Sequence, residues 1–458
     1  MSNLINAMRQ KDSLTANGAL TNSTSLNAVV DMFFLAGASR RMSEQDIINV
    51  FVKAYSEDPT LAVKCLFWAR DVRGGAGERR FFQIILNYII KNYPSVFEFN
   101  ARLIPEYGYW KDVFTILTPN ATNLDWMKSE LEKENSGLLA KWFPRKGIWF
   151  SSMHKHLGIT PKQFRKMIVE KTKVVETAMC NKEWDAIEYS KIPSQAFQKY
   201  KRAFARNDEY RFSGFINAVV KGEAKVNSGT LFPYQLYQSF TKGMDKNTLL
   251  AQWMNLPDYV GEGSFLPVCD VSGSMLGLPM EISVSLGVYL SERNKSVFKD
   301  AFITFSESPK LQYLKGNVIE RFNQLRRAEW GMSTNLQSVF DLVLDKAKEN
   351  NLSQSDLPET ILIISDMEFN QACSGRTNFE VIQDKFEAAG YKMPKLAFWN
   401  VNGREGNVPV SADTKDVALV SGASPSIVKN VLAGKDFTPK GIMLETLLSE
   451  RYEKIMAL

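Results

Sequence analysis

Phe265-Leu-Pro-Val-Cys-Asp270-Val-Ser272-Gly-Ser274-Met275 is the stretch whose reading decides the fold. A short apolar run, bounded by Gly261 and Gly263 and with Pro267 near its start, stops at Asp-x-Ser-x-Ser. Such a run reads as a buried strand of an α/β sheet. The carboxylate and two hydroxyls then fall in the loop after the strand's C-terminal end, where open α/β sheets place their ligands. Small oxygen-bearing side chains at i, i+2 and i+4 converge on one point if the loop curls. Mg²⁺ favours such a set, with few carboxylates, hard oxygens and retained water. The plainer reading is a polar turn in which Asp270 or a serine caps the helix expected over residues 280–293. Two other readings fit worse. A phosphate-binding loop needs Gly-Lys-Ser/Thr, and position 272 is serine where an aspartyl-phosphate phosphatase would carry a second carboxylate.

Working outward, strand-like apolar runs alternate with helical patterns on the C-terminal side. Strands are expected over residues 265–270, 301–305, 361–365, 395–401 and 417–420. The expected helices are 280–293, 318–327, 336–350, 379–389 and 424–432. This alternation predicts a mostly parallel, doubly wound, Rossmann-like sheet over residues 262–436. An amphipathic helix over 441–456, within a C-terminal piece 437–458, is expected to pack back on the body. On the N-terminal side, residues 26–258 carry apolar spacings of three and four in helix after helix, joined by short Gly-, Pro- and Asp-containing turns. Ser43 with Asp46, and Asp58 before Pro59, read as helix starts. So many similar helices in series predict an all-α helical repeat, a HEAT-like solenoid. Residues 1–25 are polar, lack the apolar core of a signal peptide, and read as a mobile arm.

Composition narrows the function classes. With 458 residues, 45% hydrophobic and 23% charged, the chain is of ordinary globular type with room for two or three domains. No run of eighteen apolar residues exists, so no membrane span is expected, and the default location is cytoplasmic. The four cysteines, Cys65, Cys180, Cys269 and Cys373, are far apart and read as buried thiols in a reducing compartment. Only two histidines, His154 and His156, are present, which argues against a zinc centre or a histidine-based triad.

The charge is uneven. Residues 1–260 hold 35 Lys/Arg against 25 Asp/Glu, and residues 141–225 alone hold 18 against 8. In that segment Trp142, Phe143, Trp149 and Phe150 are interleaved with Arg145, Lys146, Lys155, His156, Lys162, Arg165 and Lys166. A second basic helix carries Lys199, Lys201, Arg202 and Arg206. Aromatics stack on unpaired bases while cations neutralise phosphates, so the combination suits single-stranded or structured RNA. The plainer reading is a solvated basic face with its aromatics turned into the core. The turn Arg70-Asp71-Val-Arg73-Gly74-Gly75-Ala-Gly77-Glu78-Arg79-Arg80 reads as a structural turn in which Asp71 and Glu78 pair with the neighbouring arginines.

Two further stretches complete the candidate ligand set of the opening stretch. Thr334 lies in Gly331-Met-Ser-Thr-Asn335 just before a helix, and Asp366 ends the apolar run from Ile361. Asp270-x-Ser272-x-Ser274, then Thr334, then Asp366, resembles the metal-ion-dependent adhesion site of von Willebrand factor A domains. The resemblance implies that these five residues hold Mg²⁺, or another divalent cation, directly or through water. It also implies an open position for an acidic group of a protein partner. A helical-repeat region followed by such a domain resembles the Ro autoantigen (TROVE) layout, whose members bind small structured and misfolded RNAs. RDVRGGAGERR, IPEYGYWKDVF, DVSGSM, WGMSTN and ISDMEFNQA, between residues 70 and 372, resemble a TROVE-like family of poorly defined function.

These readings give the functional expectations. The first is a non-enzymatic RNA-binding or ribonucleoprotein scaffold with a Mg²⁺-dependent adhesion site. The alternative is a protein-interaction scaffold that uses the metal to capture an acidic residue without RNA. An enzyme ranks third: Glu368 is the one nearby acid to consider as a base, and its plainer reading is a solvated surface residue.

Overall fold

The computed structural model describes residues 12–457 apart from 173, 306–307, 328–333 and 372–375. The chain divides into two compact units, Met1–Ile85 with Leu231–Leu458, and Leu86–Thr230. The helical region expected as one domain over 26–258 therefore contributes to both.

The first unit is built on a six-stranded mixed sheet. Its strands are β3 (Phe265–Cys269), β4 (Ala301–Thr304), β5 (Leu311–Tyr313), β6 (Thr360–Ser365), β7 (Lys395–Asn400) and β8 (Val417–Ser421), in the order β5-β4-β3-β6-β7-β8. All neighbours pair in parallel except β5, which runs antiparallel to β4 at the edge. The sequence patterning does not reveal β5, because Leu311-Gln-Tyr313 is short and largely exposed. The parallel strands are continuous apolar runs because both faces are covered. Pro267 is tolerated in β3 because registration to β4 begins only at Val268, so an N–H missing on that side interrupts no ladder. The helix Leu278–Arg293 approaches β3 so closely that a Cβ at Gly287 would strike the Cys269 sulfur.

Part of the helical region covers this sheet. Helix Ala28–Ala36 is buried nearly all round, as expected of a core helix. Ser421 on β8 ties its C-terminal end, the hydroxyl donating to the Phe33 carbonyl at 2.7 Å and accepting from Gly37 N–H at 3.0 Å. The predicted helix starts are present. Ser43 accepts from the Asp46 amide and Asp58 from the Leu61 amide, ahead of Pro59.

Three expectations are corrected. Residues 12–25 are not a mobile arm. They form a small hairpin, β1 (Ser13–Leu14) with β2 (Leu20–Thr21), followed by a segment hydrogen-bonded to Val408 and Ala412. The C-terminal helix spans Pro439–Leu447, not 441–456, and a separate short turn Glu450–Tyr452 follows. Cys65 and Cys269 are buried, but Cys180 is exposed; Cys373 lies outside the described residues.

The unit Leu86–Thr230 is entirely helical among its described residues, from the second half of Arg79–Asn92 to Glu209–Val220. An aromatic core of Phe114, Phe143, Trp149, Phe150 and Phe164 holds its middle together, with edge-to-face pairs at 4.9–5.3 Å. Among the described residues of the whole chain, no helix is long and apolar enough to cross a membrane.

Candidate metal site

In the sheet order, the chain leaves β3 toward β4 on one side and returns through β6 on the other. β3 and β6 therefore flank a topological switch point, the place where open α/β sheets bind ligands. Their registers match residue for residue from Phe265–Thr360 to Cys269–Ile364. Asp270 and Asp366, the residues just past each strand, consequently emerge at one sheet edge. Asp270 N–H extends the ladder by donating to the Ile364 carbonyl at 2.9 Å.

The loop after Asp270 curls as its spacing suggests. Asp270 Oδ1 accepts from Ser272 N–H at 2.9 Å, and a short 3₁₀ turn Gly273–Met275 brings the Ser272 and Ser274 hydroxyls to 3.1 Å of each other. The Ser274 side chain lies on the Asp366 side of this turn and opposes the rise that burial gives the Asp366 carboxyl. Asp270, Ser272 and Ser274 are thus one hydrogen-bonded group, with Asp366 beside it on the adjacent strand end. Thr334 is buried, and its carbonyl accepts from Asn370 N–H at 3.0 Å, which fastens it to the loop that follows Asp366. Residues 328–333, which include the start of the WGMSTN motif, lie outside the described residues.

Burial raises the Asp270 carboxyl above the ordinary aspartate range, against the pull of hydrogen bonds from Ser272 and Ser365. Burial, with the charge of Asp270 added, pushes Asp366 up to about 6. Neither carboxylate has a basic side chain within ion-pair distance among the described residues. Two buried carboxylates that repel each other, lined by hydroxyls, form a donor set suited to a small hard cation. Among the described residues no cluster of three or more His, Cys, Asp or Glu side chains could hold a metal. An ion here would rest on two carboxylates, hydroxyls and water, which fits Mg²⁺ and disfavours a soft metal.

Sequence reasoning missed Ser365 and misread Glu368. The Ser365 hydroxyl donates to Asp270 Oδ2 at 2.6 Å and accepts from Met367 N–H at 3.0 Å, so it bridges the two strand ends. The signal was its place as the last residue of β6, immediately before Asp366. Glu368 is not a solvated surface acid. It is 9% exposed, and its carboxylate accepts from Arg404 Nε at 2.8 Å and Asn407 Nδ2 at 3.3 Å. No sequence signal links Glu368 to Arg404, since the contact is made only by the fold.

The basic segment lies wholly in the Leu86–Thr230 unit. Arg145, Lys146, Lys155, His156, Lys162, Arg165, Lys166, Lys199, Arg202 and Arg206 are exposed, and Lys201 is half-buried. Burial, with Arg202 nearby, pushes the Lys201 ammonium down to about 8. Some of these groups are locally engaged. His156 meets Asp125 at 2.9 Å, Lys166 meets Glu170 at 3.7 Å, and Arg165 lies over the Phe150 ring at 4.9 Å. The aromatics mostly do not accompany the cations outward. Phe143, Trp149 and Phe150 are core, with Trp149 Nε1 donating to the Leu117 carbonyl at 3.1 Å, while Trp142 is 41% exposed.

The fold and site define a class: a helical region continued by an α/β sheet with a carboxylate-and-hydroxyl group at its switch point. The chain belongs to the family described as Domain of unknown function (DUF2828), whose model matches residues 15–142 and 153–259. A second model, Domain of unknown function (DUF7788), matches residues 264–454 and so takes in the sheet and the whole candidate site. "Uncharacterized protein L728" of Acanthamoeba polyphaga mimivirus is similar to this chain. The two are 31% identical over 500 residues, covering 95% of this chain and 87% of the relative.

Proposed function

We propose that this protein is a non-enzymatic scaffold in which Asp270, Ser272, Ser274, Thr334 and Asp366 hold Mg²⁺ and present it to an acidic side chain of a protein partner. One observation carries the reading: Asp270 and Asp366 are buried carboxylates on adjacent strand ends, lined by hydroxyls and without a basic partner among the described residues. In this reading the sheet is a von Willebrand factor A domain, and the five residues are its adhesion site. The helical region is a TROVE-like, HEAT-type repeat. When bound, the ion supplies an open coordination position for a carboxylate oxygen. The protein's part is to hold the oxygens in place, Ser365 bracing Asp270 and Glu368 N–H bracing Asp366. Glu368 is a poor general base because Arg404 and Asn407 occupy its carboxylate. A cytoplasmic location and no membrane association accompany this reading.

Calorimetric titration with Mg²⁺ tests the site directly, with wild type binding and Asp270→Ala not. Proteins retained from a cell lysate by immobilised wild type in Mg²⁺ should be released by EDTA and absent from Asp270→Ala. Equal retention on both, insensitive to EDTA, overturns the docking role.

A second reading, RNA binding by the Leu86–Thr230 unit, is favoured by the exposure of its basic side chains. Arg145, Lys146, Lys155, Lys162 and Arg206 are all exposed. Binding of a structured RNA should weaken steeply with salt. No retention at low salt removes this reading and leaves the first intact.

A further inference from the structure

We propose that Glu368 and the N-terminal hairpin are positioning elements for the metal site, so that occupancy of the site and docking of residues 12–22 are linked. The inference rests on the Mg²⁺ reading above.

The loop from Asp366 to Gln371 carries or fastens two of the five candidate groups. Its first residue is Asp366 itself, whose Oδ1 accepts from Glu368 N–H at 3.2 Å. Asn370 N–H holds the Thr334 carbonyl. Between them Met367 is buried at a φ of 65°, a left-handed conformation that a side-chain-bearing residue keeps only when its surroundings impose it. Its neighbours supply that constraint. Met367 N–H is held by Ser365, its carbonyl accepts from Asn407 Nδ2 at 3.0 Å, and the next side chain, Glu368, is clamped by Arg404.

The hairpin supplies the other half of the clamp. Ala16 N–H donates to Glu368 Oε2, and Asn17 Nδ2 donates to the Glu368 carbonyl at 2.6 Å. Thr15 Oγ1 donates to the Phe369 carbonyl at 2.6 Å, and Gln371 N–H donates to the Asn17 carbonyl at 3.2 Å. Arg404 joins the two sides, since its Nη2 also donates to the Leu14 carbonyl at 2.9 Å. Each residue of the loop from Glu368 to Gln371 thus bonds or bridges the hairpin. An ion that fixes Asp366 and Thr334 must favour the loop conformation the hairpin grips, and linkage makes the effect reciprocal. Outer groups that orient metal ligands commonly change affinity 10- to 100-fold when removed.

Mn²⁺ alone serves as the probe, its binding to the full chain read by electron paramagnetic resonance and its effect by amide hydrogen exchange. Wild type should bind Mn²⁺, with exchange over residues 12–22 slowing on addition of the ion. Glu368→Gln keeps the shape but loses the Arg404 ion pair, and should weaken Mn²⁺ binding about tenfold with the hairpin's exchange faster at every Mn²⁺ level. Thr15→Val, which removes one hydroxyl from the hairpin and nothing from the loop, should move both readouts in the same direction by less. If wild type binds Mn²⁺ while hairpin exchange is unchanged, or Thr15→Val and Glu368→Gln both bind as wild type does, the linkage is overturned and the metal reading survives. If wild type binds no Mn²⁺, both fall.

Discussion

Arg451 grips the buried carboxylate of Asp71, Nη2 to Oδ1 at 2.7 Å and Nε to Oδ2, across most of the length of the chain. Tyr452 OH adds a third bond at 3.0 Å, and Arg73 N–H a fourth at 2.9 Å. The Asp71 turn is therefore a clasp on the C-terminal segment, its carboxylate paired with an arginine from the far end of the chain. Glu78 likewise pairs with Arg40.

Removing Arg451 leaves Asp71 charged and buried, whereas removing both partners does not. Arg451→Met should lower stability by about 3 kcal/mol in urea unfolding. Arg451→Met combined with Asp71→Asn should lose less than the sum of the two single variants. Additive losses would mean that the pair is not the clasp.

Gly75 and Gly214 should respond in opposite directions to alanine. A Cβ at Gly75 would fall on the Trp68 carbonyl oxygen and within 3.2 Å of Asp71 Cβ, so backbone must shift. Gly75→Ala should lower stability by about 1–3 kcal/mol or more. Gly214, inside helix Glu209–Val220, has nothing within 4 Å of the added carbon. Gly214→Ala should raise stability by about 0.5–1 kcal/mol. Thermal melts of the two variants check both signs.

How much was legible in the sequence follows from the range of each interaction. β3, β4, β6, β7 and β8 were legible because a strand buried on both faces is a continuous apolar run, and the ligand-bearing loop because Asp270, Ser272 and Ser274 lie within five residues. Asp366 was legible as a second strand ending in a carboxylate. The hairpin 13–21 was not, because it is short, polar and stabilised by Glu368, Phe369 and Val408 from the far end of the chain. Glu368 was misread for the same reason. Composition also blurs burial: Trp149 and Trp142 sit in one basic stretch, yet one is core and the other is exposed.

The carboxylate pair predicts a pH dependence. Asp366 holds its proton up to about 6 in the folded chain, whereas an unfolded aspartate titrates at about 3.9. The folded state thus binds more protons between these values, and stability from this group is full below the lower one and lost as pH rises through the upper. In EDTA, wild type should lose stability relative to Asp366→Asn across about pH 4 to 6. Mg²⁺ at neutral pH should raise the Tm of wild type and leave that of Asp270→Asn unchanged. A flat difference across that window, or an equal Mg²⁺ response, would contradict the geometry.

The aromatic residues of the basic segment separate folding from RNA contact. Trp149 is 3% exposed, lies edge-to-face with Phe114 at 5.3 Å and with Phe143 at 6.5 Å, and donates its indole N–H to Leu117. Trp149→Ala opens a cavity in that core and should lower stability by about 3–5 kcal/mol, with any loss of RNA binding following loss of structure. Trp142, 41% exposed beside the Lys141 ammonium at 5.7 Å, is the aromatic of this stretch available for base stacking. Trp142→Ala should leave the melt within about 0.5 kcal/mol of wild type while weakening single-stranded RNA binding by about 1–3 kcal/mol. Arg145→Ala with Lys146→Ala should instead flatten the salt dependence without sequence preference. If Trp142→Ala and the double variant both bind RNA as wild type does, the basic segment is a solvated face.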